Sequence, residues 1–226
     1  MPGSGIRDAL LDAWAVLMPV DCAGCASPDR ALCAGCRIRL APDPAWHRLP
    51  DGTRVVSALD YSGTVRQVIL AFKGQGRTDV ASALAAPLGS ALQAAAVLAA
   101  VLADRPSPEL ALVPTSRSSY RRRGYDPVAL LVRRAGFVGR AVLRHSRSTL
   151  QQKTLDVESR SRNLAGSLHA PRALTGRSFI LVDDVMTTGA TLVEAARAIR
   201  EAGGQVVCAA TVAHTERLFP SHSSSS

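Results

Sequence analysis

Residues 179–191 read Phe-Ile-Leu-Val-Asp-Asp-Val-Met-Thr-Thr-Gly-Ala-Thr, and no other segment of this 226-residue chain constrains the fold so tightly. The apolar run 179–182 has the composition of a central parallel strand that is buried on both faces. Two carboxylates follow it, then a Thr-Thr-Gly turn, then the start of a helix. Open α/β sheets bind ligands at the carboxyl ends of their strands, so this order predicts a ligand site there.

The turn and the helix after the acid pair suit a phosphate group. Gly189 lets the backbone approach a ligand closely, and the first N–H groups of a helix have no partner within it. The carboxylates of Asp183 and Asp184 suit the vicinal hydroxyls of a sugar, so the segment is predicted to bind a 5-phosphorylated ribose. The alternative is an acid pair that caps an ordinary helix. The segment lacks the lysine of a Walker loop, which disfavours nucleotide hydrolysis.

Strands and helices alternate along the rest of the chain. Apolar runs predict strands at 54–61, 109–113, 141–143 and 206–212, and helical periodicity predicts helices at 63–72, 78–103, 127–135 and 190–202. Residues 115–126 and 145–170 are polar and are expected to be loops. This alternation is typical of a mostly parallel, doubly wound α/β sheet. Cys208 falls in the last strand and is interpreted as a small core residue.

The positive charge of the chain is confined to one region. The formal net charge is +9, and residues 117–172 carry 13 of the 27 basic residues but only 3 of the 18 acidic ones. Lys73 and Lys153 are the only lysines. Arginine suits bidentate recognition of phosphate and carboxylate groups, so the local excess favours a defined anion site over a uniformly basic surface.

Two basic segments are candidates to complete this anion site. The first follows the strand 109–113, and its candidate diphosphate-binding residues are Thr115, Ser116, Arg117, Arg121, Arg122 and Arg123. The second, 151–163, is a candidate lid whose basic residues are Lys153, Arg160 and Arg162. The alternative for either segment alone is a solvated basic surface. Lys73 either reaches this site or lies on the surface at the end of its helix.

Four cysteines form a compact cluster near the N-terminus. The pairs Cys22/Cys25 and Cys33/Cys36 are CxxC knuckles separated by seven residues, a spacing that suits four thiolate ligands around a structural Zn²⁺. Disulfides, a redox pair and an iron–sulfur cluster are the alternatives.

The N-terminal part of the chain indicates a small module before the main domain. Residues 6–18 have the pattern of a short amphipathic helix, and Asp8 and Asp12 distinguish it from a secretion signal, so we expect a cytoplasmic protein. A Pro-rich connection at 42–50 follows the cysteines. We therefore divide the chain into a module at 1–50, a main domain at 51–216 and a disordered tail at 217–226. The uncharged stretch 80–103 is interpreted as a buried helix and not as a membrane span.

Residues 179–191 resemble the phosphoribosyl-diphosphate (PRPP) motif of type I phosphoribosyltransferases. The resemblance implies a Rossmann-like parallel sheet with a mobile hood, and a reaction that displaces pyrophosphate from C1 with a nitrogen nucleophile, assisted by Mg²⁺. It assigns the ribose and catalysis to Asp183 and Asp184, and the PRPP-binding set becomes Asp183, Asp184, Val185, Met186, Thr187, Thr188, Gly189, Ala190 and Thr191. The 6-oxopurine transferases carry Asp at the position of Thr187, which disfavours hypoxanthine or guanine as the acceptor.

The order of motifs along the chain resembles the competence-protein ComF family. These motifs are the cysteine cluster, Tyr61-Ser62-Gly63, Lys73-Gly74, Val113-Pro114, the arginine segment, residues 151–163 and the PRPP motif. The resemblance implies bacterial cytoplasmic proteins that are linked in some species to the uptake of transforming DNA. Relatives usually have Arg-Gly-Phe-Asn-Gln where this chain has Arg123-Gly124-Tyr125-Asp126-Pro127, which puts local contacts there in doubt.

Three hypotheses about function follow from these patterns. The first is a PRPP-dependent transferase that acts on an unknown nitrogen acceptor. The second is a non-catalytic accessory protein of competence that binds single-stranded DNA or protein partners, although only Tyr120 and Tyr125 lie among the arginines as stacking residues. The third is a PRPP-sensing regulator. Arg133, Arg134, Arg140, Arg144 and Arg147 have no role in the PRPP site and are the best place for a DNA or partner contact.

Overall fold

A computed structural model describes residues 20–28, 30–102, 107–146 and 165–215. The described chain contains a six-stranded sheet with the order β1-β2-β8-β7-β3-β4 and a two-stranded sheet, β5-β6. The strands are β1 (Ala45–Arg48), β2 (Arg54–Asp60), β3 (Glu109–Leu112), β4 (Gly139–Arg140), β5 (Arg144–His145), β6 (Leu168–His169), β7 (Ser178–Met186) and β8 (Gln205–His214). The helices are α1 (Ala34–Ile38), α2 (Gly63–Gly74), α3 (Ala81–Val101), α4 (Arg117–Arg123), α5 (Pro127–Arg134) and α6 (Ala190–Glu201).

The large sheet is parallel except at one edge, where β1 pairs antiparallel with β2. Helices cover both of its faces. On one face α3 packs against β2, β8 and α5, and on the other face α6 packs against β7, β8 and β6. The mostly parallel α/β fold expected from the sequence is therefore confirmed.

The strand β7 separates the two hydrophobic cores. Ile180 and Val182 belong to the core under α3, and Phe179 and Leu181 belong to the core under α6. All four side chains are at most 2% exposed, which explains why this segment is apolar without alternation.

The helix at 78–101 has the length and composition of a membrane span, and no other described helix does. Nine residues of α3 are nevertheless buried in the domain, including Leu84, Leu88 and Leu92. Their contacts with β2, β8 and α5 are those of a core helix, as the sequence interpretation expected.

Three predicted local structures are wrong. Residues 117–123 form a helix and not a loop, because Ser116 accepts a hydrogen bond from the N–H of Ser119 at 3.3 Å and Gly124 ends the helix at a φ of 78°. The strand expected at 141–143 is absent, and short strands lie on either side of it, at Gly139–Arg140 and Arg144–His145. The Pro-rich connection contains β1, which pairs across a short turn with β2.

Several predictions concern residues outside the described ranges. These are the amphipathic helix at 6–18, the lid residues Lys153, Arg160 and Arg162, and the tail at 217–226. The division of the chain at residue 50 stays a prediction.

Candidate functional site

The acid pair lies at the carboxyl edge of the large sheet. The strand β3 stops pairing with β7 at Val182, whose carbonyl still accepts a hydrogen bond from the N–H of Val113 at 3.0 Å. Beyond that point β7 pairs only with β8, with Asp183 opposite Thr211. Asp183 and Asp184 are thus placed where the chain after β3 turns away, which is the position expected for a ligand cleft.

Each carboxylate of the pair is fixed through its Oδ1 atom. Asp183 Oδ1 accepts the N–H of Asp184 at 2.8 Å, and Asp184 Oδ1 accepts the N–H of Val185 at 2.7 Å. Lys73, from the last turn of α2, donates to the same Asp184 Oδ1 at 3.0 Å. Within the described part of the chain neither Oδ2 atom has a hydrogen-bond partner.

The two acids differ in their electrostatic surroundings. Burial, together with the charges of Asp184 and Asp126, raises the pKa of Asp183 to about 8, although Lys73 and the backbone hydrogen bond oppose the rise. The contribution of Asp183 to stability is therefore full below pH ~4, the unfolded pKa, and is lost as the pH rises through about 8. At neutral pH the carboxyl of Asp183 is therefore mostly protonated, and a protonated carboxyl can both donate to and accept from a sugar hydroxyl.

The turn after β7 leads directly into α6. Thr187 and Thr188 are exposed, and Thr188 Oγ1 accepts the N–H of Ala190 at 3.3 Å. Thr215 holds the turn in place, because its N–H donates to the carbonyl of Met186 at 3.0 Å and its Oγ1 donates to the carbonyl of Thr187 at 3.2 Å. The first N–H groups of α6 point out of the helix without helical partners, beside the acid pair.

Gly189 is required at the start of α6 for two reasons. Its φ is 71°, in the left-handed region. A Cβ at this position would also lie 2.3 Å from Cδ2 of Leu49, a side chain that is only 2% exposed.

The arginine segment reaches the site through the end of α2. Arg123 Nη1 donates to the carbonyl of Lys73 at 3.5 Å, and the hydroxyl of Tyr125 donates to the carbonyl of Phe72. Nε of Arg123 is buried and has no hydrogen-bond partner among the described residues. At the start of the segment, Thr115 and Ser116 follow β3. The exposed members of the predicted diphosphate set are Arg117, Arg121 and Arg122.

Lys73 is the site residue on which the sequence left two interpretations open. It lies 111 positions before its partner Asp184, a distance over which local patterns carry no information. The available signal was its rarity, since it is one of two lysines and directly follows the apolar face of α2.

The four cysteines converge on one point. Their sulfur atoms lie within 4.8 Å of one another, and those of Cys25 and Cys33 are 3.7 Å apart. All four are free thiols. Burial opposes ionisation of Cys22, but hydrogen bonds from the N–H groups of Cys33, Gly24 and Cys25 lower its pKa to about 6. This arrangement can hold a metal ion, which thiolates bind.

The cysteine module packs on α2. Cys22, Cys36 and two leucines join the core that contains Val68 and Phe72 of α2. Arg77, just beyond α2, donates to the carbonyl of Asp21 at 3.0 Å. The module thereby supports the helix whose last turn carries Lys73.

Comparisons with known proteins show the family of this chain. The sequence model of the phosphoribosyl transferase domain family matches residues 81–223 of this chain. Proteins called DNA utilization protein YhgH from Escherichia coli and Shigella flexneri are 30% identical over 203 residues, which cover 82% of this chain and 85% of the relative. The protein of that name from Salmonella typhimurium is 29% identical over 192 residues, covering 82% and 80%.

The chain therefore belongs to the phosphoribosyl transferase domain family. Within that family it is a ComF-like protein, as the order of its motifs indicated, with the four-cysteine cluster on the N-terminal side of the domain.

The variant Gly189→Ala tests the geometry of the turn that precedes α6. We expect it to lower the free energy of unfolding by about 1–2 kcal/mol for the left-handed backbone and by about 1–3 kcal/mol more for the contact with Leu49. Gly176→Ala is the matched control, since its φ is 76° but nothing lies within 4 Å of the added Cβ. Urea denaturation measures both. Equal losses in the two variants would contradict the close approach of Leu49.

Proposed function

We propose that this protein binds PRPP at residues 183–191 and transfers its phosphoribosyl group to a nitrogen acceptor. The observation that carries the proposal is the acid pair at the end of β7, whose Oδ2 atoms have no hydrogen-bond partner among the described residues, followed by a short turn, a left-handed glycine and the start of α6. In a bound ribose 5-phosphate the diol would face the acid pair and the phosphate would face the turn before α6.

The chain's own residues then bind and orient the substrate. Asp183 and Asp184 hold the ribose hydroxyls, and the turn 187–191 holds the 5-phosphate. The C1–oxygen bond breaks with its electron pair passing to pyrophosphate, a C1–nitrogen bond forms, and the acceptor's proton passes to water. Arg117 and Arg121–Arg123 stabilise the charge of the departing pyrophosphate. A Mg²⁺ ion bound to the diphosphate would supply further charge neutralisation.

Calorimetry with PRPP and Mg²⁺ tests the binding step. Because hydrogen bonds to charged groups contribute about 1.5–3 kcal/mol, Asp184→Asn should weaken PRPP binding by about 10- to 100-fold. Asp43→Asn removes the same charge from an exposed position and should bind like the wild type. Absence of binding to the folded wild-type protein at millimolar PRPP would refute the proposal. Binding without pyrophosphate release, across a panel of nitrogen acceptors, would instead identify a PRPP-sensing regulator.

The four-cysteine cluster is proposed to hold a structural Zn²⁺. Four thiolates fill a tetrahedral shell and leave no open position for a substrate. The separation of 3.7 Å between Cys25 and Cys33 sulfurs agrees with Zn–S bonds of about 2.3 Å in that geometry.

Metal analysis of the purified protein tests the zinc assignment. We expect one zinc ion per chain, and Cys25→Ser should lose it because one of four ligands is removed. Cys208→Ser is the matched control, since Cys208 is buried in β8 and lies outside the cluster. Iron, or no metal, in the wild-type protein would contradict the assignment, as would loss of zinc in the control.

A second candidate function is binding of single-stranded DNA, and one groove favours it. Trp46 on the edge strand β1 is 44% exposed and lines a cavity of about 560 Å³ together with Arg48 and Arg54. Neither arginine forms an ion pair with a described acidic residue. A flat aromatic side chain beside two guanidinium groups that have no described ion-pair partner suits a base and its phosphates. The YhgH relatives are called DNA utilization proteins, which accords with this partner.

Fluorescence anisotropy with an oligothymidylate across a salt series tests the groove. Stacking contributes about 1–3 kcal/mol per base, so Trp46→Ala should weaken binding by about 5- to 150-fold. Val138→Ala alters a residue that is 74% exposed beside β4, the opposite edge strand, and should have no effect. Equal binding by the two variants would assign any DNA contact to another surface.

A further inference from the structure

The last turn of α2 is a meeting point of three parts of the site. The Nζ atom of Lys73 is 3.0 Å from Asp184 Oδ1, on the ribose side. The carbonyls of Phe72 and Lys73 accept hydrogen bonds from Tyr125 and Arg123, on the diphosphate side. The rings of Phe72 and Tyr125 also pack with their centroids 5.4 Å apart.

These contacts differ from those of an ordinary helix end. The last carbonyls of a helix lack helical donors, and water or a glycine cap usually satisfies them. Here the donors are Arg123, the last residue of the arginine helix α4, and Tyr125, which follows that helix. The side chain of Lys73 is 34% exposed and that of Asp184 is 11% exposed, so the carboxylate of this ion pair is shielded from solvent while the ammonium group stays partly solvated.

We propose that Lys73 is a positioning residue that couples the ribose side of the PRPP site to its diphosphate side. The inference rests on the proposed function. Lys73 holds Asp184 from α2, while Arg123 and Tyr125 hold the same turn of α2 from the arginine segment. A pyrophosphate bound by the arginine segment stabilises the position of this turn of α2. Lys73, held in that position, keeps Asp184 oriented for the ribose hydroxyls.

The charge of Lys73 also acts on the second acid. The charged groups that influence Asp183 are Asp184 on β7, Lys73 on α2 and Asp126 before α5. Both carboxylates disfavour ionisation of Asp183, and Lys73 alone among the three favours it. Removal of this cation therefore raises the pKa of Asp183 further, which gives a readout that does not require any ligand.

Coupling of this kind is reciprocal. Ribose 5-phosphate should bind more tightly when pyrophosphate and Mg²⁺ are present, and pyrophosphate should gain by the same factor when ribose 5-phosphate is present. We expect a factor of about 5 or more in the wild-type protein, the lower end of typical couplings between sites.

Calorimetry on Lys73→Met, with both ligands alone and together, tests the proposal. Ribose 5-phosphate should bind about tenfold more weakly, and the coupling factor should fall to about 1, because the link to Asp184 is lost. Lys73→Arg should restore most of the affinity, since it keeps the cation. Arg66→Met removes a cation from the exposed face of the same helix and should behave like the wild type.

A carboxyl titration by NMR, without ligands, provides the second readout. The pKa of Asp183 should be higher in Lys73→Met than in the wild type and should return towards the wild-type value in Lys73→Arg. If Lys73→Met fails to fold, Tyr125→Phe replaces it. This variant loses only the hydroxyl bound to Phe72, and it should reduce the coupling while it leaves the Asp183 titration unchanged.

The outcomes separate this inference from the proposed function. A wild-type protein that binds PRPP, with coupling that survives in Lys73→Met or with no coupling at all, overturns the role of Lys73 and leaves PRPP binding intact. A folded wild-type protein that binds neither PRPP nor ribose 5-phosphate overturns both. An unchanged Asp183 titration in Lys73→Met overturns the electrostatic part in either case.

Discussion

Burial of β7 on both faces fixes where the acid pair of this protein can lie. Phe179 and Leu181 fill one core and Ile180 and Val182 fill the other, so a shift of the strand by one residue would exchange the two sets. A shift in one direction would also draw Asp183 into the core, and a shift in the other direction would move it beyond the edge of the sheet. The packing of four apolar side chains therefore sets the register of the carboxylates, of the turn after them and of the first turn of α6.

The parts of the site that follow one another in the chain could be predicted from the sequence. The strand, acid pair, turn and helix at 179–191 each follow from residues within that segment, and all four indicate the same arrangement. Contacts between distant segments could not be predicted in this way. The edge strand β1 forms because it pairs with β2, and the pairing of Lys73 with Asp184 depends on how α2 lies along the sheet. Neither arrangement can be predicted from the hydrophobic periodicity of a single segment.

The arginine helix α4 is an intermediate case. Its signals were present in the sequence, namely Ser116 as an N-cap, arginines with good helix propensity, and Gly124 as the terminating residue. The high charge density of the segment favoured the interpretation as a loop, although these signals indicate a helix. Two residues after α4 that differ from the usual ComF motif have structural roles. The hydroxyl of Tyr125 donates to a carbonyl at the end of α2, and Asp126 caps α5 by accepting the N–H of Ala129 at 3.0 Å.

The structure also divides the basic excess that the sequence concentrated in residues 117–172. Glu109, at the start of β3, pairs with Arg177 at 2.8 Å and with Arg140 at 3.3 Å, and these two ion pairs lower the pKa of that carboxyl. They lie at the amino end of β3, whereas α4 follows its carboxyl end. Arg117, Arg121 and Arg122 have no ion pair with a described acidic residue. Within residues 117–172 the charge of Arg140 is thus neutralised at the amino edge of the sheet, whereas the charges of Arg117, Arg121 and Arg122 are retained at the carboxyl edge, which favours an anionic ligand there.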